Sequence, residues 1–334
     1  MVRILVRMLG AMVLCAATVL APRAVTAQAL SGQIWQPNKP ITIVIPFPPG
    51  PGLDLVARMV GDKLSASIGQ PVVYENRTGA SGSIAAEYVA RAAPDGTTLM
   101  AAATSTHATN VHLIKNLSYD PVKNFTPIVE SVETIGCIVV NTSVVPVNSV
   151  AELVAYAKAN PGKLSFGSSG AGSFFHLAGE LFNQVNGVNL AHVPYRGSVA
   201  AFTDLIGGHI QVNFTQLSQA VAYRDNKNLK VLAVLEETRF SRWPDYPSIT
   251  EALPSYKMPP TWNGIVGPPG LPEPVLQRLN AELNKALSIA EVRTKLEDNG
   301  YRVVGGTGEA FGKRIRDDIA FYGPIFKLVG VEAQ

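Results

Sequence analysis

The chain has 334 residues with 28 Lys+Arg against 25 Asp+Glu, enough length for about two domains and too even a balance for a nucleic-acid partner. The slight positive excess resides in Arg3, Arg7 and Arg23, which precede Ala29 with no acidic residue among them; without that segment the chain carries 25 charges of each sign. The two cysteines, Cys15 and Cys137, are too few for a disulfide scaffold.

The first residues read as a secretory leader. Arg3 and Arg7 give a positive start, and Met8 to Leu20 is an apolar run too short and wrongly flanked for a membrane span. Small residues place cleavage after Ala27 or Ala29. Cys15 lies inside the apolar run behind Leu14, where lipidation is not expected. Only Cys137 then remains, so an exported chain of ~300 residues rests on its core without an intrachain disulfide.

Ile41 to Ile45 alternates β-branched residues and reads as a strand. Pro46 to Gly52 is a rigid loop. Leu53, Val56, Ala57, Val60 and Leu64 then recur at helical spacing. A second strand is expected at Pro71–Tyr74, followed by a helix whose face carries Ile84, Ala85, Tyr88, Val89 and Ala92. Thr98–Ala103 reads as a buried strand that runs into Thr104-Ser105-Thr106-His107. Strand–helix–strand–helix–strand is the pattern of a parallel sheet wound with helices.

Phe125–Asn141 reads as one or two strands. Ser149 and Glu152 have the spacing of a capping box ahead of a helix that ends at Asn160-Pro161-Gly162. Four further strands are expected: Leu164–Gly167, Leu190–Pro194, Ile210–Phe214 and Leu229–Leu235. Helices alternate with them and complete a second α/β unit. Trp243–Pro260 reads as irregular. Gly264–Val266 and Tyr301–Val304 read as strands, with helices from Pro272 to Leu287, from Glu291 to Asn299, and from Thr307 to about Tyr322. These last pieces are expected to complete the first domain, with crossings near Cys137–Asn141 and Lys257–Val266. The domains are then 30–138 with 262–334, and 139–261.

Four loops share one design: Pro46–Gly52, Thr104–Thr106, Ser168–Ser173 and Tyr195–Ser198. Each follows a strand and precedes a helical segment, and each is built from Gly, Ser, Thr or Pro. Such loops let backbone N–H groups converge into an anion nest. Arg196 is the only basic residue in them. A carboxylate held by neutral donors and helix N-termini is therefore expected.

Enzyme readings fit poorly. Gly167-Ser168-Ser169-Gly170-Ala171 lacks the final glycine of a nucleophile elbow. The five histidines show no metal-binding spacing, so no metal and no cofactor is expected. Cys137 sits in an apolar strand as a core residue. His176 is the one histidine placed to reach a cleft, but a hydrogen-bonded structural role is the reading preferred for it. Phe174 and Phe175 line the cleft or pack the core. Asp54 caps the first helix or receives an ammonium group. Asp204 pairs with Arg196 or orders the cleft loops.

Several stretches together resemble the substrate-binding proteins of tripartite tricarboxylate transporters, the TctC or Bug family. They are Ile45-Pro46-Phe47-Pro48-Pro49-Gly50, Asn76-Arg77 with Gly79-Ala80-Ser81-Gly82, and Pro94-Asp95-Gly96-Thr97-Thr98-Leu99. Ala159-Asn160-Pro161-Gly162-Lys163-Leu164, Gly167-Ser168-Ser169-Gly170, His176 to Phe182 and His192 to Gly197 follow in the same order. The resemblance runs from about Pro40 to the C-terminus. It implies a periplasmic binding protein-like α/β fold, two domains joined by two crossing hinge strands with a ligand cleft between them. It also implies a non-catalytic protein that closes on a small carboxylate and delivers it to a membrane permease; a monomer is expected.

In the family the first strand–loop and the Ser-Ser-Gly loop grip the ligand carboxylate, largely through main-chain donors and bridging waters. On this chain the first is represented by Phe47, Pro49, Gly50 and Gly52. The second is represented by Ser168, Ser169 and Gly170, with Ser173. Thr104, Ser105, Thr106, Tyr195, Arg196, Gly197, Thr215 and Gln216 are expected around the same pocket.

Three departures stand out. Pro51 replaces a usual glycine and Leu53 a small hydroxyl residue; Phe174 and Phe175 intrude before His176; Thr215-Gln216 stands where Asp or Asn is common. Together they predict a less polar pocket, for an aromatic or larger carboxylate or a less polar dicarboxylate. Two rival readings are an exported hydrolase or isomerase using His176 and Asp204, and a sensor that presents its closed form to a histidine kinase.

Overall fold

The computed structural model describes residues 35–50, 52–328, 330–331 and 333. The leader with its cleavage sites, and Pro51, lie outside the described residues. The opening unit follows the periodicity of its sequence. Strand β1 (Ile41–Ile45) buries Ile41, Ile43, Val44 and Ile45 completely, as a strand covered on both faces must. Helix α1 (Leu53–Ile68) presses Leu53, Val56, Ala57, Val60 and Leu64 against it.

β2 (Val72–Asn76), α2 (Ser83–Ala90) and β3 (Thr98–Ala103) continue the winding. β1 pairs in parallel with both β2 and β3. The face of α2 is not the expected one. Ser83, Ala85, Ala86 and Val89 are buried, while Ile84 and Tyr88 are 50% and 40% exposed. The small residues let the helix approach the sheet closely, and Tyr88 lies under the Arg77 guanidinium, 3.6 Å from its ring centroid. After β3 comes a π-helical turn (Ser105–Thr109) and the short helix α3 (Asn110–Leu113).

β4 (Thr126–Thr134) and β5 (Gly136–Asn141) are separated by the single residue Ile135, yet belong to different sheets. α4 (Val150–Ala159), β6 (Ser165–Ser168), α5 (Phe174–Asn186), β7 (Ala191–Pro194) and α6 (Ser198–Ile206) follow. β8 (Val212–Gln216), α7 (Leu217–Val221) and β9 (Leu229–Val234) end the second unit. The Ser149 hydroxyl accepts from Glu152 N–H as expected, but the Glu152 carboxylate accepts from Asn148 N–H instead of closing a capping box. A complete box occurs at Ser248 and Glu251, heading α8 (Ile249–Ala252) inside the stretch that reads as irregular.

The chain returns through β10 (Thr261–Gly267), α9 (Glu273–Ser288), α10 (Ala290–Asp298), β11 (Tyr301–Gly305) and α11 (Gly308–Leu328). The first sheet has the order β11-β4-β10-β3-β1-β2 and the second β7-β6-β8-β5-β9. The chain thus leaves the first sheet at Ile135 and regains it between Val234 and Thr261. α11 adds a third link. Its Phe311 and Ile315 pack against Val44, Met100 and Trp262 on the first sheet, while Tyr322, Ile325 and Phe326 enter the core of the second with Phe166, Phe182 and Phe214.

Candidate functional site

Each sheet has one place where the winding reverses direction. In the first it lies between β1 and β3, in the second between β6 and β8. Ligands bind in the crevice outside the carboxyl ends of strands at such a switch point. Here both crevices open into one cleft of about 580 Å³. Phe47, Gly52, Leu53 and Asp54 line it after β1, and Thr104 and Ser105 after β3. Ser169, Gly170, Ser173, Phe174 and Phe175 line it after β6, and Gln216 ends β8.

The first loop is fastened from below. Asp54 is 4% exposed and accepts from Gly50 N–H (3.1 Å), Arg58 Nε (2.9 Å) and Asn76 Nδ2 (3.0 Å). The same Asn76 amide donates to the Phe47 carbonyl at 2.8 Å. Burial alone would raise the Asp54 carboxyl; hydrogen bonds from Arg58, Asn76 and Gly50 outweigh it and hold the group below the usual carboxylate range. Asp54 therefore serves as the loop's anchor, and Arg58 offsets its charge beside the cleft.

Gly52 has φ 87 and ψ −136, a conformation reserved for glycine. No atom lies within 4 Å of the place a Cβ would take, so strain is the whole cost of a substitution. Gly52→Ala is expected to lower stability by about 1–3 kcal/mol and to weaken ligand capture, read by thermal melting and by titration. An alanine variant with unchanged melting and unchanged binding would show the loop geometry to be immaterial.

The second loop is fastened by two histidines. Ser168 is fully buried; its Oγ lies 2.7 Å from His192 Nε2 and accepts from Gly170 N–H. His176 Nδ1 accepts from Gly172 N–H at 3.0 Å, and its ring stacks on His192 with centroids 3.8 Å apart. Burial lowers the His176 imidazole, and burial together with His176 lowers His192 to about 4, so both rings are neutral clamps. Gly170, at φ 134 and with Tyr195 O 3.3 Å from its would-be Cβ, turns the loop toward the cleft. The Ser173 hydroxyl caps α5 by accepting from His176 N–H.

Not every expected residue meets the cleft. Pro49, Gly50, Thr106, Ser168, Thr215 and His176 are absent from its lining. Thr106 spends its hydroxyl on Ala103 and His107, and Thr215 on Gln219. Tyr195, Arg196 and Gly197 are not in the lining either, but their loop borders it: after the edge strand β7, Tyr195 N–H donates to Ser168 O at 3.3 Å and Tyr195 O lies 3.3 Å from the Cβ position of the cleft-lining Gly170. Asp204 accepts from the Tyr195 hydroxyl at 2.7 Å and makes no ion pair with Arg196. Sequence reading missed Ser81, Asn110, Thr134, Thr261, Asn263 and Tyr301, all of which line the cleft. The strand residues among them carry no local signal, since their alternation reads only as core.

The family model for the tripartite tricarboxylate transporter family receptor, TctC, matches residues 56–331. The chain belongs to this family. A relative from Pseudomonas sp. (strain P51), the UPF0065 protein in the tcbD-tcbE intergenic region, is 36% identical over 291 residues, 84% of either chain. Among solved structures, R. palustris Rpa4515 with adipate superposes with a TM-score of 0.78 at 32% identity, covering 89% of this chain and 99% of that one. MatC (Rpa3494) from Rhodopseudomonas palustris with bound malate gives 0.72 at 30%, covering 86% and 99%. The two-sheet α/β architecture is thus that of TctC-type binding proteins.

As a TctC receptor the chain belongs to a family of binding proteins, and its site reads accordingly. The long helices α1 and α5 open their first turns on the cleft, one from each sheet. Unpaired N–H groups and the helix dipoles make such ends favourable for an anion. No Lys or Arg is among the described residues that line the cleft. No group of side chains suited to a metal ion occurs among the described residues, and no helix there is long and apolar enough to cross a membrane.

Proposed function

We propose that this receptor captures a small carboxylate between two α/β lobes, one on each sheet, and hands it to the membrane permease of a tripartite tricarboxylate transporter. The observation that carries the reading is the pair of helix N-termini, from different sheets, that open on one cation-free cleft. Binding starts on one lobe, and contacts with the second favour the closed form. Ile135 and the connection between Val234 and Thr261 are the hinge. The adipate and malate carried by two structural relatives support a carboxylate as the ligand class. A periplasmic, monomeric mature protein, cleaved after Ala27 or Ala29, is part of this reading, supported by the leader-like sequence at the N-terminus.

Phe47, Phe174 and Phe175 give the cleft an apolar wall, which suits a carboxylate with a larger or aromatic body. A thermal-shift screen is expected to show stabilisation by such acids and little by small polar amino acids; the reverse ranking would overturn this preference. Loss of uptake in a deletion strain, matched by loss of the permease alone, supports transport. Turnover of bound acid followed by mass spectrometry would instead establish an enzyme. Ligand-dependent kinase signalling that persists without the permease would establish a sensor.

A further inference from the structure

The floor of the cleft carries polar groups that the fold leaves unused. Thr134 of β4 stands in register between Thr261 of β10 and Tyr301 of β11. The three form one row across the end of the first sheet, and Asn263, two residues along β10, shares their side. All four line the cleft. Thr134, Asn263 and Tyr301 are 7%, 8% and 4% exposed. None of the three makes a side-chain hydrogen bond to another described residue, and none is among the polar atoms sealed away without a partner. Their remaining exposure is therefore toward the cleft. Burial alone pushes the Tyr301 phenol up to about 12, with no hydrogen bond contributing.

The neighbours of this row behave oppositely. Glu133 and Arg302, adjacent to Thr134 and Tyr301 in sequence, pair with each other at 3.0 Å. Trp262, between Thr261 and Asn263, also borders the cleft, but its indole N–H is already taken by Asp318 at 2.7 Å. Strand alternation thus sends charged groups to the back of the sheet and neutral donors and acceptors into the cleft. A charged group seated on the row would be buried without a counter-ion, which is costly. A hydroxyl or carbonyl would meet amide and hydroxyl partners that can both donate and accept.

We propose that Thr134, Asn263 and Tyr301 form a second subsite that reads a neutral hydroxyl or carbonyl at the far end of the ligand. The preferred ligands are then hydroxy- or oxo-carboxylates. This rests on the carboxylate reading above: an acid held at the loops after β1 and β6 projects its other end into the rest of the same cleft.

The test is calorimetric titration of the full mature protein with matched acids: hexanoate, ω-hydroxyhexanoate and adipate; benzoate and para-hydroxybenzoate; phenylacetate and para-hydroxyphenylacetate. In at least one series the hydroxylated acid is expected to bind about tenfold or more tightly than its parent, and ω-hydroxyhexanoate more tightly than adipate. Tyr301→Phe and Asn263→Leu should each bring that ratio close to one. Tyr301→Phe should melt no lower than the wild type, because the lost hydroxyl has no partner in the fold. Parents or adipate binding as well as the hydroxy acids, or a ratio that survives both substitutions, overturns the subsite while leaving a carboxylate receptor intact. If no acid of the set binds, the carboxylate reading fails and the subsite with it.

Discussion

Asp54→Ala is expected to destabilise the protein by about 2–3 kcal/mol and to abolish measurable carboxylate binding. The carboxylate is almost fully buried and accepts four hydrogen bonds at once, one from Gly50, two from Arg58 and one from Asn76. Removing it frees the Asn76 amide that also fixes the Phe47 carbonyl, so both ends of the loop after β1 lose their tether. Arg58 is partly exposed and can turn to water, which limits the cost in stability. Binding has no such escape, because the first turn of α1 depends on the loop for its aim. The effect is also pH-dependent. The folded-state pKa of Asp54 lies below the ordinary value, so its contribution is present above the unfolded pKa and is lost as pH falls through the folded one. The difference in unfolding free energy between wild type and variant should therefore shrink on acidification. Normal melting and normal titration of the variant would show that Asp54 is a bystander.

Glu236→Gln is expected to remove a large part of the alkaline loss of stability. Glu236 lies two residues past the end of β9 on the connection back to the first sheet, and its Oε1 accepts from Gly136 N–H, just past Ile135, at 2.9 Å. It is 4% exposed, and Oε2 has no partner among the described residues. Burial pushes the carboxyl up to about 8, against the hydrogen bond from Gly136 and the field of Arg302. The folded form thus keeps a proton that the unfolded chain releases near 4.5. Stability from this group is full below that value and falls as pH rises toward about 8, by at most about 5 kcal/mol.

Glutamine keeps the shape and the bond to Gly136 but cannot ionise. Urea unfolding between pH 5 and 8 should show a declining wild type and a flatter variant that is more stable at the alkaline end. His192 acts in the opposite sense. Its folded pKa of about 4 lies below the ordinary 6.5, so its contribution is present above 6.5 and disappears as pH falls toward 4. Parallel curves for wild type and Glu236→Gln would contradict a proton held at the hinge.

The units that present the cleft were legible because their periodicity changes abruptly. Alternation in Ile41–Ile45 gives way to helical spacing from Leu53, and the same change occurs between Phe166 and Phe182. Strand order was not legible. Tyr195–Gly197 has the composition of the other loops, yet it follows an edge strand and stands behind the Gly170 turn instead of in the lining. Composition says what a loop can do, while only the sheet order decides where it does it. Long-range partners were hidden for a similar reason. Asp54 owes its role to Asn76 on the neighbouring strand, and Thr134 meets Tyr301 across 167 residues of chain through strand register alone. Ile84 and Tyr88 fit a helical face by spacing, but smaller residues on the adjoining face packed closer to the sheet and prevailed. The last turns of α11 cross to the second sheet on Tyr322 and Phe326, whose apolar character gives no hint of which core they join.

On the proposed function, the cleft recognises a carboxylate with backbone donors and helix N-termini and without a cation. This recognition is tested most directly by titrating the tightest-binding acid of a carboxylate panel against its methyl ester, at low and at high salt. The acid should bind with one site per chain and change affinity by less than about threefold between the two salt conditions, since the donors are neutral and the site is enclosed. The ester, which lacks the charge, should not bind measurably. An ester that binds as well as the acid, or an affinity that collapses with salt, would rule out recognition by neutral donors at the helix ends.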